Sequence, residues 1–555
     1  MNEINKGKIT VTFEDERKVV VGYKTKIVDA VKMVEKNLDN IIALRVNNEV
    51  KSFDYELVTD STCEYVDFDS EDGYRVYSRT LKMILYMALT KLYAHADVQF
   101  ISTINKDQYF IIKNIDLTTE KVEKVKAKMI EIIKKDYPII KKVVPLEEAE
   151  VLYTASGDDS KLDNIDNRIK SYSTMYFCDG LYNYFYGMLA PSTGYIKSFD
   201  LIEYKEGAML VIPNDLSKGY EFKKEIKDIR LYDTFIAFNK LNDILGISNI
   251  GNLNTTVLNG KIQSIIQSSE AIHLRKIVEI VMDIEKRKET KMILIAGPSS
   301  SGKTTFAQKL GVQLTLTGFN PITISMDNYF KERSDTPLGS DGKYNFECVE
   351  ALDVVLFNKH MNELIMGNEV ELPEFDFIEG KKEYKGKMLK LKDNDLLVIE
   401  GIHALNPILT QFTDNNHKFK IYIAPIATLN IDDYTKVSST DTRLLRRMVR
   451  DYVTRGHSVE KTFELWENVV KGEKQYIFPF VDEADCIFNS SLIYEPGVIR
   501  TFAQPLLLQL HKTSKYYSET RRLYEYLNNF LPIETSSIPV DSIVREFIGN
   551  GCFYR

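Results

Sequence analysis

The chain has little cysteine: five in 555 residues, at Cys63, Cys178, Cys348, Cys486 and Cys552. They are far apart, with no Cys-x-x-Cys pair and no Cys/His ligand spacing, so neither a disulfide framework nor a zinc site is indicated and the thiols read as reduced. Long apolar runs are missing too. No stretch approaches the ~20 apolar residues of a membrane span, and Met1 to Thr10 carries charges where a signal peptide would be apolar. A cytoplasmic protein with no membrane partner is expected. Neither sign of charge dominates: 72 Lys and Arg face 80 Asp and Glu, and the net charge of -8 gives no overall attraction to nucleic acid or anionic lipid. Trp466 is the only tryptophan. It lies in the apolar-periodic segment Phe463 to Val470 and reads as core rather than as a cofactor platform.

What is present is length and one strong motif. A chain of 555 residues exceeds what a single hydrophobic core supports, and three or four domains are expected. Lys291 to Leu310 reads KMILIAGPSSSGKTTFAQKL. Met292 to Ala296 has buried-strand character, Gly297 and Gly302 permit a tight turn, and Thr304 onward reads as helix. A GxxxxGK[ST] pattern between strand and helix converges backbone N–H groups on one point, which suits a polyphosphate. Gly297, Ser299, Ser300, Ser301, Gly302, Lys303, Thr304 and Thr305 are therefore candidates for cradling ATP. Lys303 can reach the β- and γ-phosphates, and the Thr304 hydroxyl can join a Mg²⁺ shell. Beyond the loop, the strand-like segments Pro321 to Ser325, Leu396 to Ile399 and Lys420 to Ala424 alternate with helical runs. This predicts an α/β, doubly wound parallel sheet.

A phosphate loop alone does not tell a kinase from a switch or a motor. Three further elements bear on that choice. The strand ITISM ends at Asp327, where a carboxylate can accept the proton of an attacking hydroxyl. The strand DLLVIEG ends at Glu400, a position suited to the metal side of the phosphates. Asp441 to Ser458 places Arg443, Arg446, Arg447 and Arg450 at spacings of three and four, which predicts one cationic helix face able to close over ATP. Arg446 joins Asp327 and Lys303 as a candidate catalytic group, with Arg443, Arg447 and Arg450 on the nucleotide.

These elements resemble the uridine kinase/phosphoribulokinase family over roughly Lys291 to Pro496. The resemblance is carried by GPSSSGKTT, SMDNYF, YNFECVEALD, LPEFDFIEGKKEY, LLVIEGIHAL and RLLRRMVRDYVTRG, in the family's order. It implies ATP-dependent phosphorylation of a substrate hydroxyl, with Asp327 at the catalytic aspartate and Lys303, Thr304 and Glu400 at the phosphate and magnesium positions. Tyr329, Glu347, Phe375, His403 and Arg455 then fall on the acceptor side. Glu347-Cys348-Val349 stands where uridine kinases have Asp-His-Pro, and Phe375-Asp376-Phe377 leads to Gly380 where they carry a Tyr and a His that contact the pyrimidine. Arg455-Gly456-His457 replaces Arg-Gly-Arg. With those base contacts missing, discrimination for uridine is expected to fall. A nucleoside is the expected acceptor, with a sugar, polyol or sugar phosphate as the alternative.

The first 70 residues alternate like a small mixed sheet: Ile9 to Phe13, Lys18 to Val21, a helical stretch Ile27 to Lys36, and Ile42 to Val46 before Asn47-Asn48. They read as a ubiquitin-like β-grasp. Leu81, Ile84, Leu85, Ala88, Leu89 and Leu92 then recur at helical spacing, and Lys121 to Val144 reads as a lysine-rich amphipathic helix with a solvated face, RNA contact being the alternative. The order of these pieces, with DFDSEDG at Asp67 to Gly73 and APSTGYIKSF at Ala190 to Phe199, resembles the N-terminal half of threonyl-tRNA synthetase: its TGS module and its second, editing-type domain. The synthetase's two helix histidines and its Cys-x-x-x-His pair align with Arg79, Met83, Phe185 and Leu189, so neither editing chemistry nor a metal is expected here. The expected organisation is 1-68 TGS-like, 69-225 synthetase-like, 226-289 helical connector, 290-497 kinase and 498-555 helical extension. The expected partner is a small hydroxyl substrate. RNA binding through the N-terminal half, in an ATP-binding regulator without kinase activity, is the rival reading, and the sequence is compatible with a homo-oligomer.

Overall fold

The computed structural model describes residues 7–104, 106–165, 170–213, 229–339, 342, 344–376, 379–426 and 429–553. They form two compact units. The first comprises Met1–Thr256, Thr428–Val437 and Leu507–Asn529; the second comprises Val257–Ala427, Ser438–Leu506 and Phe530–Arg555. The expected boundary at 225/226 and Phe377 lie outside the described residues.

The first unit opens with a five-stranded sheet in the order Lys18–Gly22, Lys8–Phe13, Ser61–Asp67, Ile41–Val46, Glu49–Lys51. The pair Lys8–Phe13 with Ser61–Asp67 is parallel and the others are antiparallel. Asn47 and Asn48 both take positive φ, at 51° and 61°, which is what a two-residue hairpin turn requires. The helix Ile27–Val31 ends sooner than its apolar spacing predicts. A 22-residue helix, Glu71–Leu92, follows, and the Ser70 side chain accepts from the Gly73 N–H at 3.1 Å. Its apolar face builds the unit's largest core together with the antiparallel sheet Asp200–Tyr204, Gly207–Val211, Asp107–Ile112, Val98–Ile104.

One sequence expectation is corrected here. The lysine-rich helix covers Thr119–Lys135 only, because Asp136 turns left-handed at φ 48° and Pro138 follows. Ile140–Pro145 is then a strand paired with Tyr172–Cys178. Two segments from the C-terminal part of the sequence also belong to this unit. They are the hairpin Asn430–Asp432 with Thr435–Lys436, whose Tyr434 enters the core, and the helix Tyr517–Leu527.

In the second unit, five strands run parallel in the order Asn320–Ser325, Asp395–Glu400, Met292–Ala296, Lys418–Ala424, Cys486–Asn489. All five residues of Met292–Ala296 are buried, as an apolar run in a sheet covered on both faces must be. The α/β parallel sheet predicted from sequence is therefore present. The helices Lys303–Leu316 and Ile262–Lys286 pack on each other beside it. Among the described residues no helix is long and apolar enough to cross a membrane.

Met83, Phe185 and Leu189 all lie in the first unit's core. Phe185→Ala is expected to destabilise this unit by about 3–5 kcal/mol, read as a lowered midpoint in urea unfolding. A change below about 1 kcal/mol would place the ring outside the packed core.

Candidate active site

The loop after Met292–Ala296 is shaped by backbone that only certain residues tolerate. Ser300 and Gly302 take φ of 60° and 90°, and a Cβ on Gly297 would lie 2.0 Å from the Ile423 carbonyl oxygen. The turn delivers the chain into the helix Lys303–Leu316, whose first N–H groups point back at the loop. Lys303 Nζ folds over the loop and donates to the Gly297 and Pro298 carbonyls at 3.0 and 3.3 Å. The Ser300 and Ser301 hydroxyls are buried and have no hydrogen-bond partner among the described residues.

Parallel pairing sets Glu400 in register with Ile295 and Ser325, so the acidic end of one strand lies two residues from Asp327 on its neighbour. Asp327 is exposed to solvent. Protein crowding around its carboxyl nevertheless raises its pKa, while Lys303 and Arg455 oppose that. Burial pushes Glu400 up to about 7, with Lys303 opposing and Asp327 and Glu546 adding to the rise. Glu347 is also raised, chiefly by burial, against the pull of Arg447 and Lys303. It reaches this position because Gly472 carries no side chain: a Cβ there would lie 2.6 Å from that of Glu347. Lys303 is thus the shared cation of Asp327, Glu347 and Glu400. His403 is 2% exposed, and burial lowers its pKa to about 4 against the backbone of Glu347 and Cys348, so the ring is neutral.

The arginine helix, Ser439–Arg455, departs from the expected single cationic face. Arg443 is buried, paired with Glu473 and 5.3 Å from the Trp466 ring centroid. Arg446 is fully buried. Its guanidinium pairs with Glu495, donates to the Ser490 carbonyl at 2.9 Å, and reaches the Ser300 and Ser301 carbonyls at 3.3 and 3.4 Å. Both arginines therefore support the loop from behind, because carboxylates have neutralised them. Arg447 donates to Ser299 Oγ at 3.1 Å. Arg447, Arg450 and Arg455 also share the buried Asp451, and Arg455 is exposed.

On the acceptor side, Tyr329 does not face the cleft: it is buried, its hydroxyl bonds His360 Nδ1 at 3.2 Å, and its ring packs on Phe357. Phe375 is half-buried against Phe330, which also meets Phe346. The Arg333 guanidinium crowds Gly380, where a Cβ would lie 2.8 Å from Arg333 Nε.

Sequence reading missed the carboxylates that hold the loop. Glu473 accepts from the Ser299 N–H at 3.2 Å. Glu546 accepts from the Thr305 N–H and hydroxyl at 3.1 and 2.8 Å. Glu473 carried a signal, since it continues the buried stripe Phe463, Trp466, Val469 at helical spacing. Glu546 carried none.

The residues present fit a magnesium nucleotide. Two hydroxyls without a partner among the described residues and one lysine line a loop at a helix N-terminus, and Glu400 and Thr304 supply the hard oxygen donors such a cation takes. Among the described residues no group of three or more His, Cys, Asp or Glu forms a metal cluster by itself, which suits a metal held partly by phosphates.

Residues 292–492 match the model of the phosphoribulokinase / uridine kinase family. A protein named uridine kinase from Staphylococcus haemolyticus is 30% identical over 200 residues, 36% of this chain and 86% of its own. One from Halobacterium salinarum is 28% identical over 194 residues, 35% of this chain and 77% of its own. Among solved structures, D-glycerate 3-kinase from Cryptococcus neoformans var. grubii aligns over 48% of this chain and 89% of its own at 15% identity, with a TM-score of 0.22.

Removing Arg446 leaves Glu495 buried without its partner. Arg446→Met is expected to destabilise the second unit by about 3–5 kcal/mol, and adding Glu495→Gln is expected to recover part of that. Urea unfolding of the two variants checks this, and a single variant as stable as the parent would remove the supporting role.

Proposed function

Because this chain belongs to the phosphoribulokinase / uridine kinase family, we propose that it is an ATP-dependent kinase that phosphorylates a hydroxyl of a nucleoside. The carrying observation is the electrostatic convergence of Lys303 with Glu400 and Asp327, at and just beyond the ends of neighbouring strands, and with Glu347. Asp327 is open to solvent and accepts the proton of the attacking hydroxyl at its carboxylate. Lys303, now folded on the loop, swings to the β- and γ-phosphate oxygens. Magnesium, held by Thr304 and Glu400, supplies further neutralisation of the phosphates when bound. Arg447, through Ser299, and the exposed Arg455 cover the cleft and exclude water that would hydrolyse ATP.

Glu347 is the group for the acceptor's hydroxyls, and the aromatic set Phe330, Phe346 and Phe375 supports a planar base held by stacking rather than by edge hydrogen bonds. The sugar or polyol reading is favoured by one feature, Gly380, which leaves the base without a polar partner there.

For the N-terminal half, we infer an accessory module of the synthetase-like kind. The five-stranded mixed sheet supports a TGS-like β-grasp. The hydrocarbon and thioether side chains at Met83, Phe185 and Leu189 support the loss of editing chemistry. Lys124, Lys126, Lys128 and Lys135 are ion-paired with Glu120, Asp200 and Glu131, which supports a solvated helix face rather than an RNA contact.

Transfer from labelled ATP to a panel of nucleosides, sugars and polyols tests the reading. One acceptor class is expected to be phosphorylated, with Asp327→Asn lowering the rate about 10²–10⁴-fold and ATP affinity kept. Loss of ATP binding in that variant would make Asp327 structural. Intact ATP binding with no acceptor phosphorylated would favour a regulator.

A further inference from the structure

The first unit contains a cavity of about 650 Å³ that the kinase reading does not use. A cavity of this size matches a small organic ligand. Its floor is the third turn of the helix Glu71–Leu92, where Arg79 is partly buried. The Arg79 guanidinium lies against Gly187: a Cβ there would come within 2.6 Å of Arg79 Cζ, and φ at Gly187 is +110°. Arg79 Nη1 donates to the Met188 carbonyl at 3.3 Å.

Among the described residues Arg79 has no carboxylate partner. The two guanidiniums nearest it in charge, Arg75 and Arg522, are both engaged by Glu519, at 2.8 and 2.6 Å. Arg75 also pairs with Asp72 at 3.3 Å, so the carboxylates beside Arg79 are engaged by its neighbours. Burial and the two neighbouring arginines lower the Arg79 pKa to about 10, which still leaves it charged at neutral pH. Lys141 also lines the cavity, with its ammonium 3.7 Å from Met188 Sδ.

A cation withdrawn from water without a counter-charge is unfavourable, and an arginine with free donors in a fork is complementary to phosphate and carboxylate. The rest of the wall is aromatic. Tyr172, Tyr176, Tyr184 and Tyr186 line the same space. The Tyr176 hydroxyl is fixed on the Gly187 carbonyl at 2.7 Å and that of Tyr186 on the Arg522 carbonyl at 2.9 Å, which holds their ring planes in place. Fixed phenol rings beside an uncompensated guanidinium offer a π-face and an anion site in one cavity.

We propose that this cavity binds a small organic anion bearing a planar ring, with the anionic group on Arg79 and the ring among the tyrosines. Nucleoside monophosphates and aromatic carboxylates share that chemistry. The site is separate from the phosphate loop and does not depend on the kinase reading.

The test is calorimetric titration of the full-length chain, its phosphate loop saturated with a non-hydrolysable ATP analogue, with AMP, phenyl phosphate and benzoate at millimolar concentration. At least one is expected to bind one per chain, and Arg79→Met to weaken it tenfold or more, with Arg79→Lys intermediate. A phosphate preference would point to nucleotides and a benzoate preference to carboxylates. Without ligand, Arg79→Met is expected to keep or raise the melting temperature, because an unpaired cation is removed. Failure of all three probes to bind, binding indifferent to Arg79→Met, or a marked fall in its melting temperature would each overturn the proposal.

Discussion

The second unit depends on a fully buried ion pair. Arg446 and Glu495 neutralise each other where water cannot reach, and the remaining guanidinium donors go to the carbonyls of Ser300, Ser301 and Ser490. The phosphate loop is thereby anchored to the end of the strand Cys486–Asn489 and to the helix Glu495–Leu507. Glu473 and Glu546 hold the same loop through Ser299 and Thr305. A loop whose own backbone includes left-handed residues needs such outside support, because its conformation is not the one its local energetics prefer.

Lys303 is the cation shared by Asp327, Glu347 and Glu400, with Arg455 acting on the first and Arg447 on the second. The pKa of all three carboxyl groups is raised: the surrounding protein disfavours their charges, Asp327 repels Glu347 and Glu400, and the nearby cations only partly oppose the rise. A further cation and a phosphate chain would complete the arrangement. The first unit has the reverse problem at Arg79, whose neighbours Arg75 and Arg522 take up Glu519 and which has no carboxylate partner of its own among the described residues.

Much of the phosphate loop was legible in the sequence because its constraints are local. Gly297 and Gly302, the strand before them and the helix after them stand within 20 residues. Asp327 and Glu400 were legible as carboxylates at strand ends, since a parallel sheet brings those ends together. The arginine helix was misread because spacing shows which residues share a face and not what that face meets. Arg443 and Arg446 meet Glu473 and Glu495, 30 and 49 residues further on. Tyr329 was read toward the substrate, yet it turns to His360 by the same kind of distant contact. The helix from Lys121 was drawn too long because lysine-rich periodicity continued past Asp136, where the backbone turns left-handed.

By itself the sequence determined the phosphate-binding turn, the parallel-sheet class of the second unit and the family to which it belongs. Each rests on short-range pattern: apolar runs, glycine positions and motif order. Tertiary structure alone decided that Tyr434 and the helix Tyr517–Leu527 join the first unit, that Glu546 reaches the phosphate-loop helix, and that Arg79 lines a cavity with no carboxylate partner among the described residues. These depend on contacts between residues hundreds of positions apart, and hydrophobic burial selects such contacts through the shape of the whole core rather than through any local spacing.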